Sequence, residues 1–110
     1  MIQDVNNAWK TESTLQLARV MTSISNNSDM KNFLRDVMTE KEIIEISARL
    51  EAARMLANGK KYIEITNRTR LSSRTVARIS GWLKNGCKGY PIALNLVASH
   101  NAHIQPARAK

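Results

Sequence analysis

Arg74 and Arg78 stand one helical turn apart in the run Ser72 to Leu83, and the apolar Val76, Ile79 and Leu83 recur there at i, i+3 and i+7. On an α-helix this spacing turns the apolar residues to one side and stacks the two arginines on another, with Thr75 alongside and Ser73 at the N-terminal tip. A guanidinium is a planar fork of donors that matches the O6 and N7 acceptors of guanine, and a hydroxyl can bond either a base or a phosphate. Ser73, Arg74, Thr75 and Arg78 are therefore the candidates for reading base edges. Lys60, Lys61, Arg68, Arg70, Ser72, Lys84 and Lys88 flank them and are placed to touch phosphates, which fixes register without reading sequence.

A helix with this task needs an anchor. Tyr62 to Thr69 reads as a short first helix with Ile65 buried, Leu71 plugs the corner, and Ser72 or Ser73 caps the helix that follows. Two short helices joined by a tight turn, the second studded with arginines, form a helix-turn-helix whose second helix fits the major groove of B-DNA. Such units favour glycine where the chain leaves the first helix. Here that position holds Arg70, for which a left-handed backbone costs roughly 1 kcal/mol.

Charge is sorted along the chain in the same sense. Residues 1–58 carry seven basic and eight acidic side chains, whereas residues 59–110 carry ten basic and one acidic. A polyanion binder needs a focused patch of this kind, because counterion release from neutralised phosphates supplies most of the sequence-independent affinity. A solvated basic face with no ligand, or a small basic RNA-binding protein, would show the same imbalance. Its coincidence with the helix-turn-helix spacing favours double-stranded DNA.

The first half of the chain reads as helices. Ala8, Leu15, Leu17, Ala18, Val20, Met21 and Ile24 recur at three and four spacing from about Asn7 to Ile24, and Ser25-Asn26-Asn27-Ser28 stops the run. Asp29 is the expected cap of a second helix with Met30, Phe33, Leu34, Val37 and Met38 on its buried side. Thr39 and Glu42 have capping-box spacing, Ile43, Ile46, Leu50, Ala53 and Ala57 make one stripe, and Asn58-Gly59 closes the third helix. Beyond Leu83 a glycine-rich turn leads to Pro91 as the expected first position of a last helix, with Ile92, Leu94, Leu96 and Val97. The expectation is an all-α chain of about six helices in one domain over residues 1–98. Within it, 1–58 are dimerisation helices, 60–84 the helix-turn-helix and 91–98 the C-terminal helix, with 99–110 a flexible basic tail. A core this thin is often completed by a second copy.

Other chemistries lack their residues. Cys87 is the only thiol and has no metal-ligand neighbours in sequence. His100 and His103 are three apart without carboxylate or thiolate support, so neither a metal nor another cofactor is expected. No phosphate-cradling glycine loop, activated nucleophile or catalytic carboxylate pair is present, and an enzyme is not expected. With no leader pattern and no apolar run approaching the ~20 residues of a membrane span, the expectation is a cytoplasmic protein without membrane partners.

The run from Met38 to Leu83 resembles the tryptophan-repressor superfamily, and within it the shorter YerC/YecD-type branch. The resemblance is carried by Met38-Thr39-Glu40-Lys41-Glu42, Arg49, Leu56 to Gly59, Lys60-Lys61-Tyr62-Ile63-Glu64-Ile65, Thr75-Val76 and Arg78. It implies an intertwined homodimer whose two helix-turn-helix heads meet successive major grooves of a palindromic operator, with half-sites about 34 Å apart. In the tryptophan-binding members the amino acid slots between the third helix and the recognition helix as corepressor, and Thr39, Arg49 and Arg78 match positions that hold it. The glycine after that arginine is replaced here by Ile79, and the serine three positions on by Trp82. Ile79 or Trp82 is expected to fill the slot, which implies a repressor that acts without tryptophan. The alternative is a repressor gated by tryptophan or another small-molecule effector.

Overall fold

The computed structural model describes the backbone of residues 6–108 and the side chains of residues 7–100. A 3-10 turn, Asn6–Trp9, precedes six α-helices: α1 Glu12–Ser23, α2 Asn27–Val37, α3 Glu40–Ala57, α4 Tyr62–Thr69, α5 Ser73–Asn85 and α6 Gly89–Arg108. Among the described residues the fold is all-α, with no strand.

Local side chains set where these helices begin and end. Thr11 caps α1, its hydroxyl accepting the Thr14 amide proton at 3.2 Å. Asn26, rather than Asp29, caps α2, its Oδ1 accepting from the Asp29 amide at 3.0 Å. Asp29 sits in the first turn instead, where its charge still favours the positive end of the helix dipole. The expected capping box is formed at α3: the Glu42 amide donates to Thr39 Oγ1 at 3.1 Å, and the Thr39 amide donates to Glu42 Oε1 at 2.8 Å. At its other end the Lys60 amide reaches the Met55 carbonyl and the Gly59 amide that of Leu56, both at 3.0 Å. This pair of bonds turns the chain through a left-handed residue, and Gly59 supplies it with φ +79°.

The chain divides into two compact units, Met1–Ser47 and Ala48–Lys110. In the first, no residue of α1 or α2 is buried. Leu15, Leu17, Val20, Met21 and Val37 are exposed, while Met30, Phe33, Leu34 and Met38 are half-buried.

The second unit holds the core. Ala52, Ala53, Met55, Ile65, Val76 and Ile79 are buried together, and Leu56, Leu71, Leu83, Tyr90 and Leu94 pack against them. Of the stripe expected on α3, Ala53 is buried, but Ile46 and Ala57 are exposed. The face that packs is the one bearing the small Ala52 and Ala53 with Met55, and the last residue of α3 runs past it.

The last helix starts at Gly89, two residues ahead of Pro91. Pro91 is tolerated there because the first four amides of a helix have no intrahelical acceptor. The helix continues to Arg108 instead of ending near 98, so the backbone of 99–108 is helical where a flexible tail is expected. The His103 side chain lies outside the described residues, as do Ala109 and Lys110. No described helix is long and apolar enough to cross a membrane.

Candidate nucleic-acid interface

The helix-turn-helix is built as its spacing predicts. Ile65 of α4 and Val76 and Ile79 of α5 are fully buried, and Leu71 packs against the same cluster from the turn. Between the helices the Arg70 amide donates to the Thr66 carbonyl at 2.9 Å. The Thr69 hydroxyl donates to the Ile65 carbonyl at 2.8 Å and accepts the Leu71 amide at 3.3 Å. This stitching holds Arg70 in the left-handed region, φ 67° and ψ 8°, as its place at the end of α4 demands.

Of the two candidate caps for α5, Ser72 is the one used. Its Oγ accepts the Thr75 amide at 3.1 Å and lies 3.1 Å from the Thr75 hydroxyl. Ser72, expected at a phosphate, and Thr75, expected at a base, therefore have their hydroxyls turned towards each other. Thr75 is half-buried, whereas Ser73, Arg74 and Arg78 are exposed. With Val76 and Ile79 locked inside, the outward stripe of α5 is defined by Arg74 and Arg78.

The flanking cations fall into two groups. Arg68 places Nε 3.4 Å from Glu51 Oε2, and Lys60 Nζ is 4.0 Å from Glu64 Oε2. Lys61, Arg70, Arg74, Arg78, Lys84 and Lys88 have no ion pair or side-chain hydrogen bond among the described residues. The second group carries net positive charge that no carboxylate among the described residues neutralises. Lys61 also precedes the first residue of α4 without offering a side-chain acceptor, so the amides of that turn keep unfilled donor capacity.

Glu51 is the hub of the paired group, and nothing in its sequence position marks it as more than one charge among many on α3. Arg54 donates to it twice, from Nε to Oε1 at 3.0 Å and from Nη2 to Oε2 at 2.7 Å. These hydrogen bonds are the largest cause, and with the charges of Arg54 and Arg68 they hold its carboxyl below the ordinary value although burial opposes them. Through Arg68 this carboxylate joins α3 to the last turn of α4. Arg54, Asn58, Lys60, Glu64 and Arg68 line an open polar cleft at this junction.

The residues matched to a corepressor slot are in different circumstances. Thr39 is engaged in the α3 capping box. Arg49 is half-buried and close enough to Tyr90 to act on it: burial raises the phenol's pKa and the Arg49 charge partly offsets this. Ile79 is fully buried in the core, while Trp82 is 42% exposed, so of the two bulky replacements Ile79 is the one taken into the interior. Cys87 is exposed, and no group of three His, Cys, Asp or Glu among the described residues could hold a metal ion.

Residues 12–97 match the sequence model of the family described as Trp repressor protein. The uncharacterized protein YerC of Bacillus subtilis is 34% identical over 82 residues, covering 74% of this chain and 79% of YerC. A crystal structure of a TrpR-like protein from Eubacterium eligens superposes with a TM-score of 0.77 at 30% identity, covering 84% of this chain and 95% of that one. A Trp repressor candidate from Staphylococcus aureus gives 0.74 at 25% identity, covering 81% and 89%.

Proposed function

Because the chain belongs to the Trp repressor protein family, we propose that it is a sequence-specific regulator of transcription, a repressor that binds a palindromic DNA operator as a homodimer and does so without tryptophan. The observation that carries this reading is the two-sidedness of α5. Val76 and Ile79 fasten it to the core, while Arg74 and Arg78 are exposed and make no ion pair among the described residues. An unpaired guanidinium on a rigid helix keeps all its donors for a base edge, whereas one tied to a carboxylate would have to be released first.

The dimer is supported by the first unit. Helices α1 and α2 have no buried residue, and their apolar side chains gain a core only against another surface, for which a second copy is the economical source. Action without tryptophan is supported by Ile79, whose side chain fills interior space at the position where tryptophan-binding relatives have glycine.

Selection from random duplex DNA tests the reading. The expected product is a symmetric site with half-sites about one helical turn, ~34 Å, apart. Arg74→Ala is then expected to lower affinity for that site by roughly 1–3 kcal/mol, about 5- to 160-fold, with a much smaller effect on unrelated duplexes. Equal loss on all duplexes would refute base readout, and preferential binding to single-stranded RNA would assign the basic surface to a different partner.

A further inference from the structure

The cleft at the junction of α3 and α4 has a volume of about 480 Å³ and is lined by Arg54, Met55, Asn58, Lys60, Glu64 and Arg68. That volume is in the range of small-molecule sites, and a lining that is polar except for Met55 calls for a polar occupant. All six residues belong to the compact unit Ala48–Lys110. Arg54 is in the last turn of α3, Asn58 and Lys60 lie on either side of the left-handed Gly59, and Glu64 and Arg68 stand one turn apart on α4.

The cations of this cleft are only partly satisfied by the chain. Arg54 uses Nε and Nη2 on Glu51, at 3.0 and 2.7 Å, and its Nη1 has no hydrogen bond among the described residues. Arg68 meets the same carboxylate through Nε alone, at 3.4 Å, and Lys60 Nζ is 4.0 Å from Glu64 Oε2, too far for a hydrogen bond. The Asn58 side chain makes no hydrogen bond among the described residues either. Arg54, Lys60 and Arg68 set against Glu51 and Glu64 leave one positive charge over. A planar carboxylate is matched by a single arginine fork, as Glu51 is by Arg54, whereas donors supplied by two helices and the turn between them suit the tetrahedral oxygens of a phosphate group. Glu64 in the same wall can accept from a hydroxyl or an ammonium and opposes a bare polyanion.

Resting on the reading of the chain as a regulator that binds duplex DNA, we propose that this cleft is an effector site for a small phosphate monoester bearing hydroxyl or amino groups, and that its occupation weakens DNA binding. A monoester brings about 1.5 to 2 negative charges at neutral pH. Held between α3 and α4, it reverses the net charge of the cleft on the helix that packs against α5, so a second polyanion is repelled where it was attracted. By linkage, DNA weakens binding of the ester by the same factor.

The experiment uses the full chain and glycerol 3-phosphate, with sodium chloride of equal ionic strength as the reference. Without DNA, the thermal midpoint is expected to rise by about 5 °C when the ester exceeds its Kd tenfold. Arg54→Gln should abolish the rise, and Asn58→Ala, a milder change at an exposed residue, should at least halve it. Each variant is compared with itself, so its own loss of stability does not enter. No rise in the wild type, a rise that both variants keep, or one that Arg74→Gln removes instead would overturn the site. With the selected operator, saturating ester is expected to lower the affinity of the wild type at least about 5-fold and to leave that of Arg54→Gln unchanged. Equal operator affinity with and without ester would overturn the effector role. A wild type that shows the rise, loses it in Arg54→Gln and binds no duplex would establish the site and overturn the functional reading instead.

Discussion

Ile79 is where the fold and the proposed tryptophan independence can be tested with one substitution series. Its side chain is fully buried with Ala52, Ala53, Met55, Ile65 and Val76, so truncation removes transfer energy and leaves a cavity between α5 and α3. Ile79→Val is expected to cost about 0.5–1.5 kcal/mol and Ile79→Ala about 2–5 kcal/mol. Against a total stability of roughly 5–15 kcal/mol the second loss is large, and it should lower the urea midpoint at constant m-value. Glycine would add about 1 kcal/mol through helix propensity, which makes alanine the cleaner probe. The same purified wild type titrated with tryptophan in a calorimeter should give no saturable heat, because a β-branched residue already occupies the interior there. A cost below about 1 kcal/mol for Ile79→Ala would show a poorly packed site with room to spare. Saturable tryptophan binding by the wild type, weakened by Arg49→Ala or Arg78→Ala, would refute the occlusion directly.

Three further outcomes follow from contacts elsewhere in the chain. Thr39→Ala should destabilise by about 0.5–2 kcal/mol in denaturant melts by opening the capping box, with Thr39→Ser close to wild type. Gly86→Ala should lose about 1–3 kcal/mol, because its new methyl would meet backbone at Trp82, whereas Gly89→Ala, which meets nothing within 4 Å, should not show that loss. Glu51 has a folded-state pKa below its ordinary value of 4.5, so its contribution is present above that value and disappears as pH falls through the depressed one. Glu51→Gln should therefore remove a small increment, about 0.5–1 kcal/mol, from stability at pH 7 and flatten the acid limb of a stability–pH profile, since the carboxylate and its arginines are all partly solvated.

Much of the helix-turn-helix is legible from the chain because its information is local. The bounds of Tyr62 to Thr69, the burial of Ile65, Val76 and Ile79, and the left-handed Arg70 all follow from spacings of three and four and from the chirality of one residue. The α3 capping box is legible for the same reason. What the sequence hides is either degenerate or distant. Asn26 and Asp29 are both good caps three residues apart, and only the backbone decides which one meets the other's amide. The Glu51–Arg54 pair is visible as i, i+3, but the Arg68 contact crosses from one helix to another and has no sequence signature. The length of α6 is concealed by the polar, basic and proline-containing run from Ser99 onward, which reads as a tail although the helix runs to Arg108.

The distribution of carboxylates supplies the last link between charge and mechanism. After residue 58 the only acidic side chain is Glu64, so any cation of the helix-turn-helix that is neutralised must use it or borrow from α3. Lys60 takes the first and Arg68, through Glu51, the second. The remaining cations cannot be neutralised within their own segment, and their mutual repulsion is relieved by a polyanion more effectively than by any rearrangement of the chain. The basic residues of the helix-turn-helix thus divide into Lys60 and Arg68, which have carboxylate partners, and a set that has none among the described residues. Removing members of the two sets should have opposite signatures: Arg68→Ala acts first on stability, while Arg74→Ala and Arg78→Ala leave the melt within about 0.5 kcal/mol and act on binding.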